Sequence, residues 1–182
     1  MRVLFELDAK DYDLQGRQFI RPSARGIIIK NRKVAMVHSL RYNYYKFPGG
    51  GLEVGEDAKS ALIREVREEA GLKVMPDSVR EYGCVRRIQK LDSLDYDYLY
   101  QENYYFLCDT VDEAVDQDLD DYEAEAGYTQ EWVEPEQVIN VNRAKGVASS
   151  GQLIREREAR ILELLMMEGY FDGLSSAEKQ SS

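Results

Sequence analysis

Two apolar runs, Gly-Ile-Ile-Ile at 26–29 and Val-Ala-Met-Val at 34–37, flank the polar triplet Asn31-Arg32-Lys33. β-rich runs split by turn-forming residues predict a hairpin. A third β-rich stretch, residues 42–47, ends at Pro48-Gly49-Gly50-Gly51, a strong breaker. The period then changes. Across 57–70, Leu62, Ile63, Val66 and Ala70 fall within an arc of about 100°, which predicts an amphipathic helix, and Gly71 stands where a helix C-terminus takes glycine. Further strands are expected within 81–88 and over 98–108, the second rich in aromatic β-formers. Residues 109–125 read as a long loop. A last strand is expected at 129–133, then a short helix entered through Pro135, a second amphipathic helix over 152–168, and a frayed tail at 175–182. No internal repeat or linker divides the chain. The expectation is one domain over 1–174 of class α/β, a mixed sheet with helices packed on it.

Composition adds a charge asymmetry. The 182 residues carry 24 Lys+Arg and 34 Asp+Glu, a net charge of −10. Residues 14–50 hold eight bases and no acid, whereas 109–136 hold twelve acids and no base. The global balance argues against a nucleic-acid polymer as partner, but a small phosphorylated ligand at the basic block remains open. Cys84 and Cys108, with His38 as the single histidine, are too few for a tetrahedral Cys/His zinc site. They also make a poor disulfide framework, so a reduced, cytoplasmic setting is expected. The first ten residues do not read as a signal peptide, and no apolar run reaches the length of a membrane span.

The candidate chemistry lies at 50–72. Glu65, Glu68 and Glu69 are spaced i, i+3, i+4 and so project from one side of the helix, beside its apolar face. In a cleft of effective dielectric ~20, carboxylates ~6 Å apart repel by about 3 kcal/mol per pair, which calls for a cation. All-oxygen ligands select a hard ion, Mg²⁺ or Mn²⁺. Taken alone, this physics leaves a solvated face equally open. Other patterns fail: Gly50-x4-Gly55 is followed by Glu56-Asp57 where a phosphate loop needs Lys-Ser/Thr, and Asp116-x-Asp118-x-Asp120 lacks the turn glycine and final Glu of an EF-hand. His38 reads as a packed or surface histidine.

The whole segment decides more than its parts. Gly50-x5-Glu56-x7-Arg64-Glu65-Val66-x-Glu68-Glu69-x-Gly71-Leu72 resembles the Nudix box at every specified position, and Phe47-Pro48-Gly49-Gly50 before it is also usual there. The sequence is therefore similar to Nudix hydrolases, and the resemblance implies a fold, a reaction and roles for these residues. The fold would be a Nudix-like α/β/α sandwich around a mixed central sheet. The reaction would be hydrolysis of the pyrophosphate linkage in a nucleoside diphosphate joined to another group X. Nucleoside triphosphates, including oxidised ones, are the default substrate, because no signature downstream of the box selects another. Glu65, Glu68 and Glu69 would bind the divalent metal together with Gly50, Arg64 would orient these carboxylates, and Glu56 would fix the loop or assist at the metal.

Three further expectations complete this reading. Arg21 and Arg25, with Tyr45 and Phe47, are candidate substrate contacts, and Tyr42 or Tyr44 could stack a base. A carboxylate from the loop before the last strand would complete the catalytic set, with Glu125 first choice and Glu123 second. The partner would be a small nucleotide derivative, with no membrane and with room for a homodimer. The alternatives are a non-catalytic nucleotide sensor and an acidic protein-interaction module using 109–136.

Overall fold

The hairpin forms, and it also redirects the chain between two sheets. In the computed structural model, which describes residues 1–144 and 151–172, β3 (Ser23–Ile27) belongs to one sheet and β4 (Ile29–Lys30) to another. The apolar run at 26–29 thus changes sheets at Ile28, whose carbonyl accepts from Ala35 N–H at 2.9 Å. A two-residue turn, Asn31 and Arg32 at φ 53° and 64°, leads into β5 (Lys33–Ser39), as expected of tight hairpins.

The larger sheet is mixed. It runs β1 (Val3–Asp8), β9 (Arg80–Lys90), β10 (Tyr98–Leu107), β3, β7 (Gly49–Gly51), and β2 (Gln18–Ile20) also pairs with β10. β1, β2 and β3 run parallel to their partners β9 and β10, while β9–β10 and β3–β7 are antiparallel. The second sheet is β12 (Tyr128–Val133), β5 and β4, with β6 (Tyr44–Lys46) also paired to β5. α1 (Ala58–Ala70) packs on one side in a core with Ala24, Ile28, Leu62, Val66 and Phe106. α3 (Pro135–Asn142) and α4 (Gln152–Met167) close the other, where Ile161, Leu162 and Leu165 meet Ile27, Met36 and Tyr105. Helix, sheets, helix: the architecture is the α/β/α sandwich.

The acidic segment is not the long loop expected. β11 (Thr110–Ala114) pairs with β8 (Leu72–Val74), and α2 (Asp121–Ala126) follows. The helix is started by a reciprocal capping box between Asp120 and Glu123 and stopped by Gly127 at φ 65°. Its acids therefore serve as helix-starting groups, which favour a helix N-terminus. Both cysteines are free and buried. No helix among the described residues is long and apolar enough to cross a membrane. The tail expected at 175–182 lies outside the described residues.

Candidate active site

The box folds as a strand, a loop and a helix held together by one arginine. Asp57 caps α1 by accepting from Lys59 and Ser60 N–H (3.0 and 3.1 Å), and Gly71 closes it at φ 63°. Ala61, Leu62, Val66 and Ala70 bury one stripe. Gly26 lets that stripe come close, since a Cβ there would lie 2.9 Å from Val66 Cγ2. The helix is thereby pressed onto β3 with its carboxylates along the edge of the contact.

Arg64 bridges the parts. Its Nε and Nη2 donate to the two oxygens of Glu56 (2.9 and 2.8 Å), Nη2 to the Gly51 carbonyl (3.1 Å), and Nη1 to Glu65 and Glu68 (2.8 and 3.1 Å). Hydrogen bonding from Arg64 holds the Glu56 carboxyl below the usual carboxylate range. Burial pushes Glu65 the other way, with Glu69 adding repulsion and Arg64 opposing both. Glu69 is 1% exposed and is met by Lys46 Nζ and by Gly49 N–H at 2.8 Å. Glu65 leans over Gly50, where a Cβ would overlap its carboxylate. Glycine is needed here for space, without any unusual φ.

These groups line a cleft of about 550 Å³. Glu65, Glu68 and Glu69 stand at one end with Glu123, Asp118 and Asp120. Among the described residues, no three carboxylate, histidine or cysteine side chains are arranged to hold a metal ion. Arg64 and Lys46 stand on the carboxylates instead. The donor set nonetheless fits a hard divalent cation: Glu65, Glu68 and Glu69 on one helix edge with Glu123 in the same cleft, beside the backbone of β7. Glu65, Glu68, Glu69 and Gly50 are the residues that could hold it.

Several candidates lie elsewhere than expected. Glu125 is exposed and paired with Arg41 outside the cleft. The segment is helical, so residues two apart point to different sides, and Glu123 is the one that enters. Burial and then Glu69 push the Glu123 carboxyl up to about 8. Tyr45 and Phe47 also miss the cleft. Tyr45 is buried against His38 (ring centroids 4.2 Å) and donates to Glu131 (3.0 Å), while Phe47 is fully buried edge-on to Tyr105 (5.6 Å). Alternation along β6 turns Tyr44 and Lys46 inward in their place. Tyr42 is largely exposed beside Arg41.

Arg21 and Arg25 do reach the cleft. Arg25, 7% exposed, donates to the Phe47 and Gly49 carbonyls (3.2 and 2.9 Å) and so fixes the approach to the box. Sequence reasoning missed Lys46, and it missed Arg87, Gln101 and Arg157 on the opposite wall. For Lys46, Arg87 and Gln101, polar residues at inward positions of strands otherwise rich in β-formers were the available signal; Arg157 lies on α4.

Fold and box agree with the comparisons. Residues 20–156 match the NUDIX domain model, and the chain belongs to that family. It is similar to RNA pyrophosphohydrolases from Edwardsiella ictaluri (44% identical over 54 residues, 29% of this chain and 30% of that protein) and Actinobacillus succinogenes (44% over 55 residues, 29% and 27%). The chain thus spans under a third of the length of these curated relatives. A NUDIX hydrolase from Nitrosomonas europaea shares the fold at 20% identity and TM-score 0.52, over 78% of this chain and 90% of that one.

Proposed function

We propose that this protein is a divalent-metal-dependent hydrolase of a pyrophosphate linkage in a nucleoside diphosphate joined to another group. The observation that carries the reading is the Arg64 network, which ties Glu56 to Glu65 and Glu68 on the lining of a cleft of about 550 Å³. Glu65, Glu68 and Glu69, with Gly50, would hold Mg²⁺ or Mn²⁺. Such an ion would supply Lewis-acid polarisation of a phosphate oxygen and a lowered pKa for a water. Arg64 fixes the carboxylates through charge-assisted hydrogen bonds, and Lys46 balances Glu69. Glu123 takes the role expected of Glu125, that of the carboxylate supplied from outside the box. Arg21, whose guanidinium lies against Gly51, meets substrate phosphate. The relatives' name supports the pyrophosphate bond as target, but the matched length is too short to carry their RNA substrate over.

The test is release of phosphate or pyrophosphate from a panel of nucleotides and nucleotide sugars, with Mg²⁺ or Mn²⁺ and with chelator. Metal-dependent release is expected, and Glu69→Gln should slow it by about 10³, equivalent to ~4 kcal/mol. Absence of release with either metal, or near-normal turnover by Glu69→Gln, would overturn the reading. A second reading, a nucleotide sensor without turnover, is favoured by Lys46 and Arg64 already neutralising the carboxylates. It predicts tight binding of a panel member without cleavage.

A further inference from the structure

The wall of the cleft opposite the carboxylates is a sheet face carrying cations under a helix. Arg87 on β9 pairs in register with Gln101 on β10. Arg21 follows β2, its N–H donating to the Tyr100 carbonyl at 3.2 Å and its guanidinium lying against Gly51 at the box end of the row, and α4 lays Arg157 over the same face. Interior sheet faces are ordinarily apolar, so this row needs an explanation.

The partners of these groups are unevenly distributed. Arg157 is 1% exposed and engages Glu158 and the Asn103 side-chain oxygen. Glu158, fully buried, also accepts from the Tyr105 hydroxyl at 3.0 Å. Arg25 is held by the two carbonyls named above. Arg87 is different. It is 8% exposed, and its Nε finds no acceptor among the described residues. Gln101, 5% exposed, likewise has an Oε1 with no donor. Burial, and then repulsion from Arg157 and Arg25, outweigh attraction from Glu158 and pull the Arg87 guanidinium down to about 9. A buried cation facing other cations, with an unfilled donor at a cleft wall, is costly for a fold to keep. Such cost concentrates where a ligand removes it.

The position of Arg87 says which part of a ligand it meets. Along the sheet from β7, which adjoins the carboxylates, to β9 there are three strand steps through β3 and β10. At ~4.8 Å each, the backbones are roughly 14 Å apart. A pyrophosphate seated against Gly50 lies nearer β3 than β9, so the group that meets Arg87 is a different part of the ligand. A planar guanidinium with free N–H groups is suited to a phosphate or carboxylate, which it can bind through two parallel hydrogen bonds. A phosphate monoester fits best, because its greater charge offsets several arginines at once.

We infer that Arg87, with Gln101, binds a second anionic group, a phosphate monoester carried on the substrate away from the scissile pyrophosphate. This rests on reading the cleft as a pyrophosphohydrolase site, and it narrows the substrate class to nucleoside diphosphate derivatives bearing an additional phosphate on the nucleoside or on X. Gln101 can turn its amide to offer two donors in place of its unpaired oxygen.

Matched pairs test it: ADP-ribose against its 2′-phosphate on the nucleoside side, and against its 1″-phosphate on the X side, with Mg²⁺ and the full chain. At least one phosphorylated member should exceed ADP-ribose in kcat/KM by about tenfold or more, through KM, as expected for one charge-assisted contact. In Arg87→Gln and in Gln101→Leu the ratio should collapse toward one. No preference in either pair, or a preference that survives both substitutions, overturns the subsite while leaving the hydrolase reading intact. If none of these compounds is cleaved, thermal melting in chelator with inorganic phosphate still decides. A phosphate-dependent rise in Tm that Arg87→Gln abolishes supports the subsite, and no rise overturns it. Without ligand, Arg87→Gln should melt at or above the wild-type temperature, because it removes a buried unpaired cation. A drop of many degrees would mean that Arg87 serves the core and would overturn the inference.

Discussion

Arg64 grips both oxygens of Glu56 across eight residues, Nε at 2.9 Å from Oε1 and Nη2 at 2.8 Å from Oε2. A single guanidinium thereby ties the loop after β7 to the helix that carries Glu65 and Glu68. Lysine has the charge but not the fork. Arg64→Lys should keep the fold by circular dichroism and lose about 10- to 100-fold in kcat, as two or more charge-assisted bonds go unmade. The bridge also has a pH signature. Because Arg64 lowers the Glu56 pKa, its contribution to stability is complete above the ordinary glutamate range and is lost as pH falls through the lower folded value. Melting temperature against pH should therefore fall less steeply on the acid side for Glu56→Gln than for the wild type. Parallel curves would mean that the bridge contributes nothing to stability.

Glu123 and Glu125 offer a paired test, since they are two residues apart with opposite surroundings. Glu123 lies in the cleft beside Glu69, whereas Glu125 sits on the surface with Arg41. Glu123→Gln should cost about 10²-fold or more in kcat, the lower range for a lost acid–base or ligand group. Glu125→Gln should be indistinguishable from wild type, because an exposed ion pair is worth little. Steady-state rates on the same substrate decide it, and a reversed order would return the role to Glu125.

Much of this site is legible in the sequence because the box is local. Glu56, Arg64 and the three glutamates lie within fourteen residues, so helical spacing and one capping residue suffice to bring them together. Glu123 is harder to see. Its entry into the cleft depends on Asp120–Glu123 capping, which turns an acidic, loop-like stretch into a helix. Tyr45 and Phe47 fail through parity: a strand shows alternate residues to opposite faces, and the choice of face depends on pairing with β5, which lies outside the motif. Arg87, Gln101 and Arg157 are out of reach for a different reason. They come from two strands and a helix far apart in sequence and share a wall only after the sheet is assembled. The strand β1, over VLFELD, offers no clear alternation because its pairing with β9 leaves much of it half exposed.

Lys46 is the cation that stands on Glu69, with the pair 11% and 2% exposed. Removing it leaves a buried carboxylate among others, a loss of about 3–5 kcal/mol. Lys46→Met should therefore melt about 10 °C lower in chelator. Millimolar Mg²⁺ should restore more stability to the variant than it adds to the wild type, because a ligand that binds the folded state stabilises it by mass action. Differential scanning fluorimetry with and without Mg²⁺ measures both. An equal Mg²⁺ shift in the two proteins would show that Glu69 and Lys46 do not share the metal's place.

Gly50 and Gly49 are neighbours whose side-chain hydrogens do different things, and alanine substitutions separate them. At Gly49, φ is 140°, and a Cβ would overlap the Ala24 carbonyl and lie 2.8 Å from Arg25 Cα. Backbone cannot step aside, so Gly49→Ala should unfold the β3–β7 edge and lower Tm and soluble yield. At Gly50, a Cβ would meet only the carboxylate end of Glu65 among its nearest atoms. That end can swing away at little cost to the fold, but it then leaves the position where Arg64 holds it at 2.8 Å. Gly50→Ala is expected to keep a Tm within a few degrees of wild type while losing about 10²-fold or more in kcat, the scale on which a misplaced group affects chemistry. Its requirement for Mg²⁺ should rise as well if Glu65 holds the metal as proposed. Melting curves and Mg²⁺ titrations of activity on the two variants separate the cases. Wild-type activity in Gly50→Ala would mean that the Glu65 carboxylate has no fixed place in the reaction.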